Sequence, residues 1–266
     1  MTSSPIGWAK LNNPTTHMMN YEEVLDALEE GTLRAAEPTE QGWKVNVEVK
    51  QAILDSFKGG VNTSYEGIYE GFVDKHNLPP RYFSPEDGVR LVPGGSSVRR
   101  GAYVAPSVII MPPAYINVGA FVDEGSMVDS HALVGSCAQV GKGVHLSAAV
   151  QLGGVLEPIG MNPVIIEDEC FIGAGAIIVE GIQVGTRAVI APGVVLSKSI
   201  PVYDAVNEEI RPRGAEIPAG AVVIPGSRPM QTDWAKSIGL SMQCPIIVKY
   251  RDASSDASTE LEEALR

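Results

Sequence analysis

No stretch of the 266 residues is apolar for long enough to cross a bilayer, which takes about 20 consecutive apolar positions, so no membrane partner is expected. Cysteine is scarce. Cys137, Cys170 and Cys244 are odd in number, far apart and free of any CxxC pair, which excludes a disulfide framework. With no secretory leader ahead of them, a cytoplasmic location is expected. Basic side chains are outnumbered, 20 Lys+Arg against 32 Asp+Glu, and the net charge of −12 argues against nucleic acid as the main partner. Histidine is rare in the centre of the chain, where His131 and His145 lack the third histidine a repeat-borne zinc site needs; no metal is expected. Regular rows of threonine, which would favour a surface-binding solenoid, are also missing.

What the chain does have is a period of six. Val98, Val104, Ile110, Ile116, Val122, Val128, Val134, Val140, Leu146 and Leu152 follow one another at that spacing without a miss. The series restarts in a new frame at Ile166 and runs through Ile172, Ile178, Val184, Ile190 and Leu196, with Ile217 and Val223 as a displaced last pair. Six matches neither a helix nor a long strand of period two. It suits short extended segments joined by tight corners, each sending one aliphatic side chain into a shared interior. Small residues recur four positions after the aliphatic, Cys170 among them, so packing rather than chemistry is expected of Cys137 and Cys170. Glycine recurs three positions after it, as at Gly119 and Gly125, where a corner needs positive φ. Three segments make a triangular coil of 18 residues, stacking Val98, Ile116, Val134 and Leu152 along one edge of a prism. The spacing between Leu152 and Ile166 is two residues longer than two hexads, and GGVLEPIGMNP fills the slip.

The flanks read differently. Residues 1–19 are polar and broken by Pro5 and Pro14, as in a loop or loosely docked arm. Asn20 with Glu23 forms a capping signal for a helix ending at Gly31, and a second helix is expected over about Val47–Phe57. Both suit a helical cap, which a repeat array requires at its ends. Residues 61–88 look like an irregular connector. A strand-turn-strand excursion is expected over 202–216, a strand at CPIIVKY, and a short helix at Thr259–Arg266. The expected domains are 1–89, helical; 90–228, the repeat; and 229–266, a small cap.

The repeat resembles that of the hexapeptide-repeat acyltransferases, whose fold is a left-handed parallel β-helix. VGAFVDEGSMVDSHALVGSCAQVG over Val118–Gly141, then GKGVHLS, GGVLEP and IIEDECFIGA, is similar to the tetrahydrodipicolinate N-succinyltransferase family of the diaminopimelate and lysine pathway. The resemblance implies a CoA-dependent N-acyltransferase that is a homotrimer with active sites between subunits. It implies that Arg90, in DGVRLVP, binds a substrate carboxylate, which suits the planar guanidinium fork. It further implies that Asp129, in MVDS, binds substrate beside the reacting amine and acts as the catalytic carboxylate. Gly153 in GGVLEP, Gly173 in FIGA, Lys198 and Arg228 are the candidate coenzyme A contacts, with the GGVLEP loop bordering the acyl-donor groove. His145 matches a family histidine, and His131 stands where an aromatic is expected; both read as structural or substrate-shaping.

One departure bears on the donor. Where succinyl-CoA users read IGARSE this chain reads IGAGAI, so Gly175, Ala176 and Ile177 replace an arginine, a serine and a glutamate. No tightly bound cofactor is expected, and the donor is succinyl-CoA or acetyl-CoA. Acetyl transfer to the same or an analogous amino-dicarboxylate, as in tabtoxin-type pathways, is the rival within enzymology. A non-catalytic β-helix scaffold is the rival from another class.

Overall fold

The structure is a computed structural model that describes residues 19–252. Its centre is a parallel β-helix built from two-residue strands, one per hexad. The first face stacks Ser97–Val98, Tyr115–Ile116, Leu133–Val134, Gln151–Leu152, Ile177–Ile178 and Val195–Leu196. A second face stacks Tyr103–Val104, Phe121–Val122, Gln139–Val140, Ile165–Ile166 and Gln183–Val184. The third runs from Arg90–Leu91 through Ile109–Ile110, Met127–Val128, His145–Leu146, Phe171–Ile172 and Val189–Ile190 to the long strand Ala221–Pro229. In register, Val104 pairs with Val122 and Val122 with Val140, so residues 18 apart lie above one another. The second residue of each of these short strands, apart from Leu91 at the foot of the third face, points inward and is buried; burying each contributes roughly 1.5–3 kcal/mol.

Corners obey one backbone rule. The residue three after the core aliphatic takes a left-handed conformation at Gly119 (φ 75) and Gly125 (φ 70), and also at His131 (φ 63) and Cys137 (φ 67). Those two non-glycine residues therefore hold corner positions. For L-residues this conformation costs roughly 1–2 kcal/mol, which the ladder on either side must outweigh.

Two segments leave the prism. After Leu152 the next strand is on the adjacent face at Ile165–Ile166, so the slip is one hexad step plus an inserted loop with no strand of its own. After Leu196 the chain makes an antiparallel excursion, Tyr203–Asp204 with Glu209–Ile210, then rejoins. Ile217 bridges to Val184 and Val223 pairs with Ile190, which restores the displaced pair to the second and third faces. Ser241–Tyr250 pairs antiparallel with Ala221–Pro229 and carries this sheet past the corner.

Along the edge where the first face turns to the second lie α1 (Tyr21–Glu29) and α2 (Val47–Gly59), Leu25 against Gly101 and Ile53 against Gly119. Asn20 and Glu23 form the expected capping box, and Asn46 caps α2. Val24, Leu25, Leu28, Val49 and Ile53 pack together with Val118 and Cys137 of the prism. A hairpin not anticipated from the sequence, Ala36–Thr39 with Gly42–Val45, lies between them. Arg34 ahead of it stacks 3.7 Å from the Phe121 ring, and Trp43 donates its indole N–H to Glu167. The connector 61–88 is more ordered than expected: Asn62–Ser64 pairs with Val73–Lys75 around a short 3-10 turn at Gly67–Tyr69, and a second such turn follows at Pro85–Asp87. The polar arm at 1–18 and the helix expected at Thr259–Arg266 lie outside the described residues. Among those described, no helix is long and apolar enough to cross a membrane.

Candidate active site

The chain passes from the third face to the first around one long edge of the prism. Ladder hydrogen bonds stack Met111, Asp129, Ser147, Gly173 and Ala191 along it, each amide donating to the carbonyl before the residue above. Asp129 is half-buried. Its Oδ1 accepts the Ser130 N–H at 2.6 Å, and its other oxygen has no partner among the described residues. Arg90 lies on the outer side of the third face, in register with Ile109, which is in register with Met127. Two strand spacings, roughly 10 Å, thus separate Arg90 from the strand that leads into Asp129. Its guanidinium is exposed and makes no ion pair among the described residues. The third face and the edge that follows it therefore place a cation unpaired among the described residues below a half-free carboxylate.

Above Asp129 the edge offers donors. Ladder bonds engage the strand amides, but the corner N–H groups of Ala148 and Ala174, one coil apart, donate to no acceptor among the described residues. Both residues are at least partly exposed. Gly173 sits between them and has a packing reason of its own: a Cβ there would lie 2.5 Å from the Pro192 nitrogen of the next coil. At the top of the edge the terminal hairpin stands alongside, where Gln243 donates to the Gly193 carbonyl and its pairing partner is Ser227. Arg228, the next residue, carries a buried Nε that has no hydrogen-bond partner among the described residues. Asp129 and Gly173 thus share this aspartate edge, two strand spacings or roughly 10 Å apart, while Arg228 stands beyond its top, five residues past Val223, the last residue of its strand in register with the prism.

Gly153 and Lys198 do not join them. Both lie where the first face turns toward the second, Gly153 just after Leu152 and Lys198 two residues after Leu196. A Cβ on Gly153 would meet the Val179 side chain at 2.8 Å, so the coil above accounts for this glycine also. Lys198 donates its backbone N–H to Glu180 and lines a pocket of about 420 Å³ with Gly160, Met161, Asn162, Gln183 and Glu216. The loop inserted after Leu152 forms one wall and the excursion after Leu196 the other. Burial, reinforced by Glu167, pushes the Glu216 carboxyl above its ordinary range. Arg211 is engaged by Glu209 and the Glu216 carbonyl.

His131 is exposed at the aspartate edge, and its carbonyl accepts from Gln151. His145 faces outward on the third face between Met127 and Phe171, its ring 5.3 Å from that of Phe171. Asp123 makes the same local bond at its corner, to Glu124, that Asp129 makes to Ser130. Sequence reasoning passed over Lys50, which is wholly buried and donates to two carbonyls of the inserted loop. A lysine one turn into an amphipathic helix carries no local sign of this, because its partners are over 100 residues away.

Two family profiles match the sequence: one described as the N-terminal region of tetrahydrodipicolinate N-succinyltransferase, over residues 9–58, and one described as the hexapeptide repeat of succinyl-transferase, over 163–198. A 2,3,4,5-tetrahydropyridine-2,6-dicarboxylate N-succinyltransferase of Psychrobacter cryohalolentis is 49% identical over 253 residues, covering 92% of this chain and 88% of the relative. Enzymes of the same name from Nitrosospira multiformis (44% over 250 residues) and Acinetobacter baylyi (46% over 249) have the same coverage. A solved Campylobacter jejuni structure, described as a 2,3,4,5-tetrahydropyridine-2-carboxylate N-succinyltransferase, superposes with a TM-score of 0.54 at 18% identity, over 92% of this chain and 63% of that one. At that identity the likeness speaks for the fold alone, and with the hexapeptide profile it fits the expected left-handed β-helix.

Proposed function

This chain belongs to the tetrahydrodipicolinate N-succinyltransferase family, and from that premise we propose that it transfers a succinyl group from succinyl-CoA to the amine of open-chain 2-amino-6-oxopimelate. The observation that carries the reading is the 44–49% identity to enzymes of that name, sustained over 92% of the chain. The geometry of the aspartate edge supports it. Arg90 takes a carboxylate of the amino-dicarboxylate through its guanidinium fork. Asp129 accepts a hydrogen bond from the amine on the oxygen that Ser130 leaves free, aiming the nitrogen lone pair at the thioester carbon. As the C–N bond forms, the carbonyl oxygen gathers charge and the corner N–H groups at Ala148 and Ala174 are placed to stabilise it. The C–S bond then breaks, coenzyme A leaves as thiolate, and the proton shed by the amine balances that charge. Holding both substrates along one edge replaces a bimolecular encounter with an oriented one.

Donor contacts fall on two edges of the same prism, Gly173 on one, with Arg228 beyond its top, and Gly153 and Lys198 on the next. A homotrimer resolves the separation, since the aspartate edge of one chain then faces the lysine edge of its neighbour across a shared groove. Acetyl transfer is the second reading, and a specific observation favours it: Gly175 is a bare corner, Ala176 is buried in the core and Ile177 presents an apolar side chain, so none pairs a succinyl carboxylate. Succinyl use requires another cation, and Arg228, whose Nε has no partner among the described residues, is the candidate beyond the top of this edge. Thiol release measured side by side decides: faster turnover with succinyl-CoA is expected, faster turnover with acetyl-CoA moves the chain to the second reading, and no release with either sinks both.

A further inference from the structure

Lys50 projects from α2 and is 0% exposed, yet among the described residues it pairs with no carboxylate. Its ammonium donates instead to the carbonyl oxygens of Val155 at 2.5 Å and Met161 at 2.6 Å. Burial lowers its pKa, and the titratable group that acts on it, the Cys137 thiol, is itself pushed up to about 12 and so supplies no counter-charge at neutral pH. A buried cation is costly to a fold unless its donors are used, and an apolar side chain of equal length would fill the same space. The two carbonyls it holds are the two feet of the loop inserted after Leu152. Val155 is anchored in the prism core, and Met161 packs against it. Between these feet the loop bulges outward, and Gly160, Met161 and Asn162 form one wall of the pocket that Lys198 lines.

We infer that Lys50 is a positioning residue for the acyl donor: by tying both feet of the 153–164 loop to α2, it holds that loop as a wall of the donor pocket. The helical segment is then part of the binding apparatus as well as a cover for that edge of the prism. The inference rests on the reading that the Lys198 pocket receives part of coenzyme A. It separates from a merely structural role because the loop borders the donor and lies away from Arg90 and Asp129, where the amine binds.

Lys50→Met tests it. The expected result is a rise of about tenfold or more in the KM for the acyl-CoA and in the calorimetric Kd for coenzyme A, with kcat and the KM for the amine substrate within about twofold of the parent. Lys50→Arg, which keeps a charged donor, should recover part of the loss. A folded Lys50→Met protein with an unchanged donor KM overturns the inference, as does an equal loss in both substrates. Should Lys50→Met fail to fold, hydrogen exchange on the unaltered protein decides: amides of residues 154–161 must gain protection when coenzyme A binds, and no gain overturns the inference. An unaltered protein that neither binds coenzyme A nor releases thiol would instead overturn the functional reading beneath it, so the two failures are distinguishable.

Discussion

Asp129 has one oxygen committed to its own corner and one uncommitted, and this division makes its substitution informative. In Asp129→Asn the side-chain oxygen can still accept the Ser130 N–H, so the corner persists while the charge is lost. Acyl transfer should fall roughly 10²–10⁴-fold with an unchanged melting temperature, and unchanged turnover would remove Asp129 from the chemistry. Arg90 is an exposed cation with no ion-pair partner among the described residues, so Arg90→Ala should leave stability alone and raise the KM for the dicarboxylate roughly ten- to hundredfold, the value of about 1.5–3 kcal/mol for a charged hydrogen bond. The thiols behave oppositely. Burial pushes Cys137 and Cys170 up to about 12, so in the native protein both should resist a thiol reagent at pH 8 and react only at the rate of unfolding. Rapid labelling of either would contradict the packing assigned to it. Their burial was legible because both sit on small repeat positions. Lys50 was not legible, because what matters about it is a contact across the fold.

At the scale of elements, the stacked strands are uniform, and distinctive chemistry is confined to corners and insertions. The excursion after Leu196 is pinned by one buried carboxylate. Asp204 accepts from the Tyr250 hydroxyl at 2.5 Å, from the Asn207 side chain, and from the backbone N–H groups of Val206 and Asn207. Burial alone would raise its pKa, but these bonds outweigh burial and hold it below the ordinary carboxylate range. A depressed carboxylate stabilises the fold above its unfolded pKa, near 4, and that contribution is lost as pH falls through the lower folded value. Tyr250→Phe should therefore cost about 1.5–3 kcal/mol in urea unfolding at pH 7 and progressively less as the pH is lowered below the unfolded carboxylate range. A cost that stays constant as the pH falls would show that the bond does not depend on the charge of Asp204. The excursion itself was readable from the pause in the hexads, whereas the closure of Tyr250 onto it, across 46 residues, was not.

At the scale of the whole molecule, the proposed donor residues lie on two edges of one prism, and the proposal therefore completes each site with a second chain. Light scattering should report a trimer. Asp129→Asn and Lys198→Ala proteins, each impaired alone, should regain activity when unfolded and refolded together, since roughly a quarter of the sites in a randomly mixed cyclic assembly receive both intact edges. A monomer in solution, or mixing that restores nothing, would place the whole site on one chain.

Sequence by itself determined the prism. A period of six with one aliphatic per segment leaves the chain no other way to bury those side chains, and nearest-neighbour stacking makes each local choice sufficient. Even the left-handed corners were marked, since glycine recurs where positive φ is needed. Tertiary structure alone decided which edge each site residue occupies, because an inserted loop and an excursion shift the count without announcing where the next strand will land. It also decided that a helix near the start of the chain would hold that loop through a buried ammonium, for such a bond is made only when the coil closes.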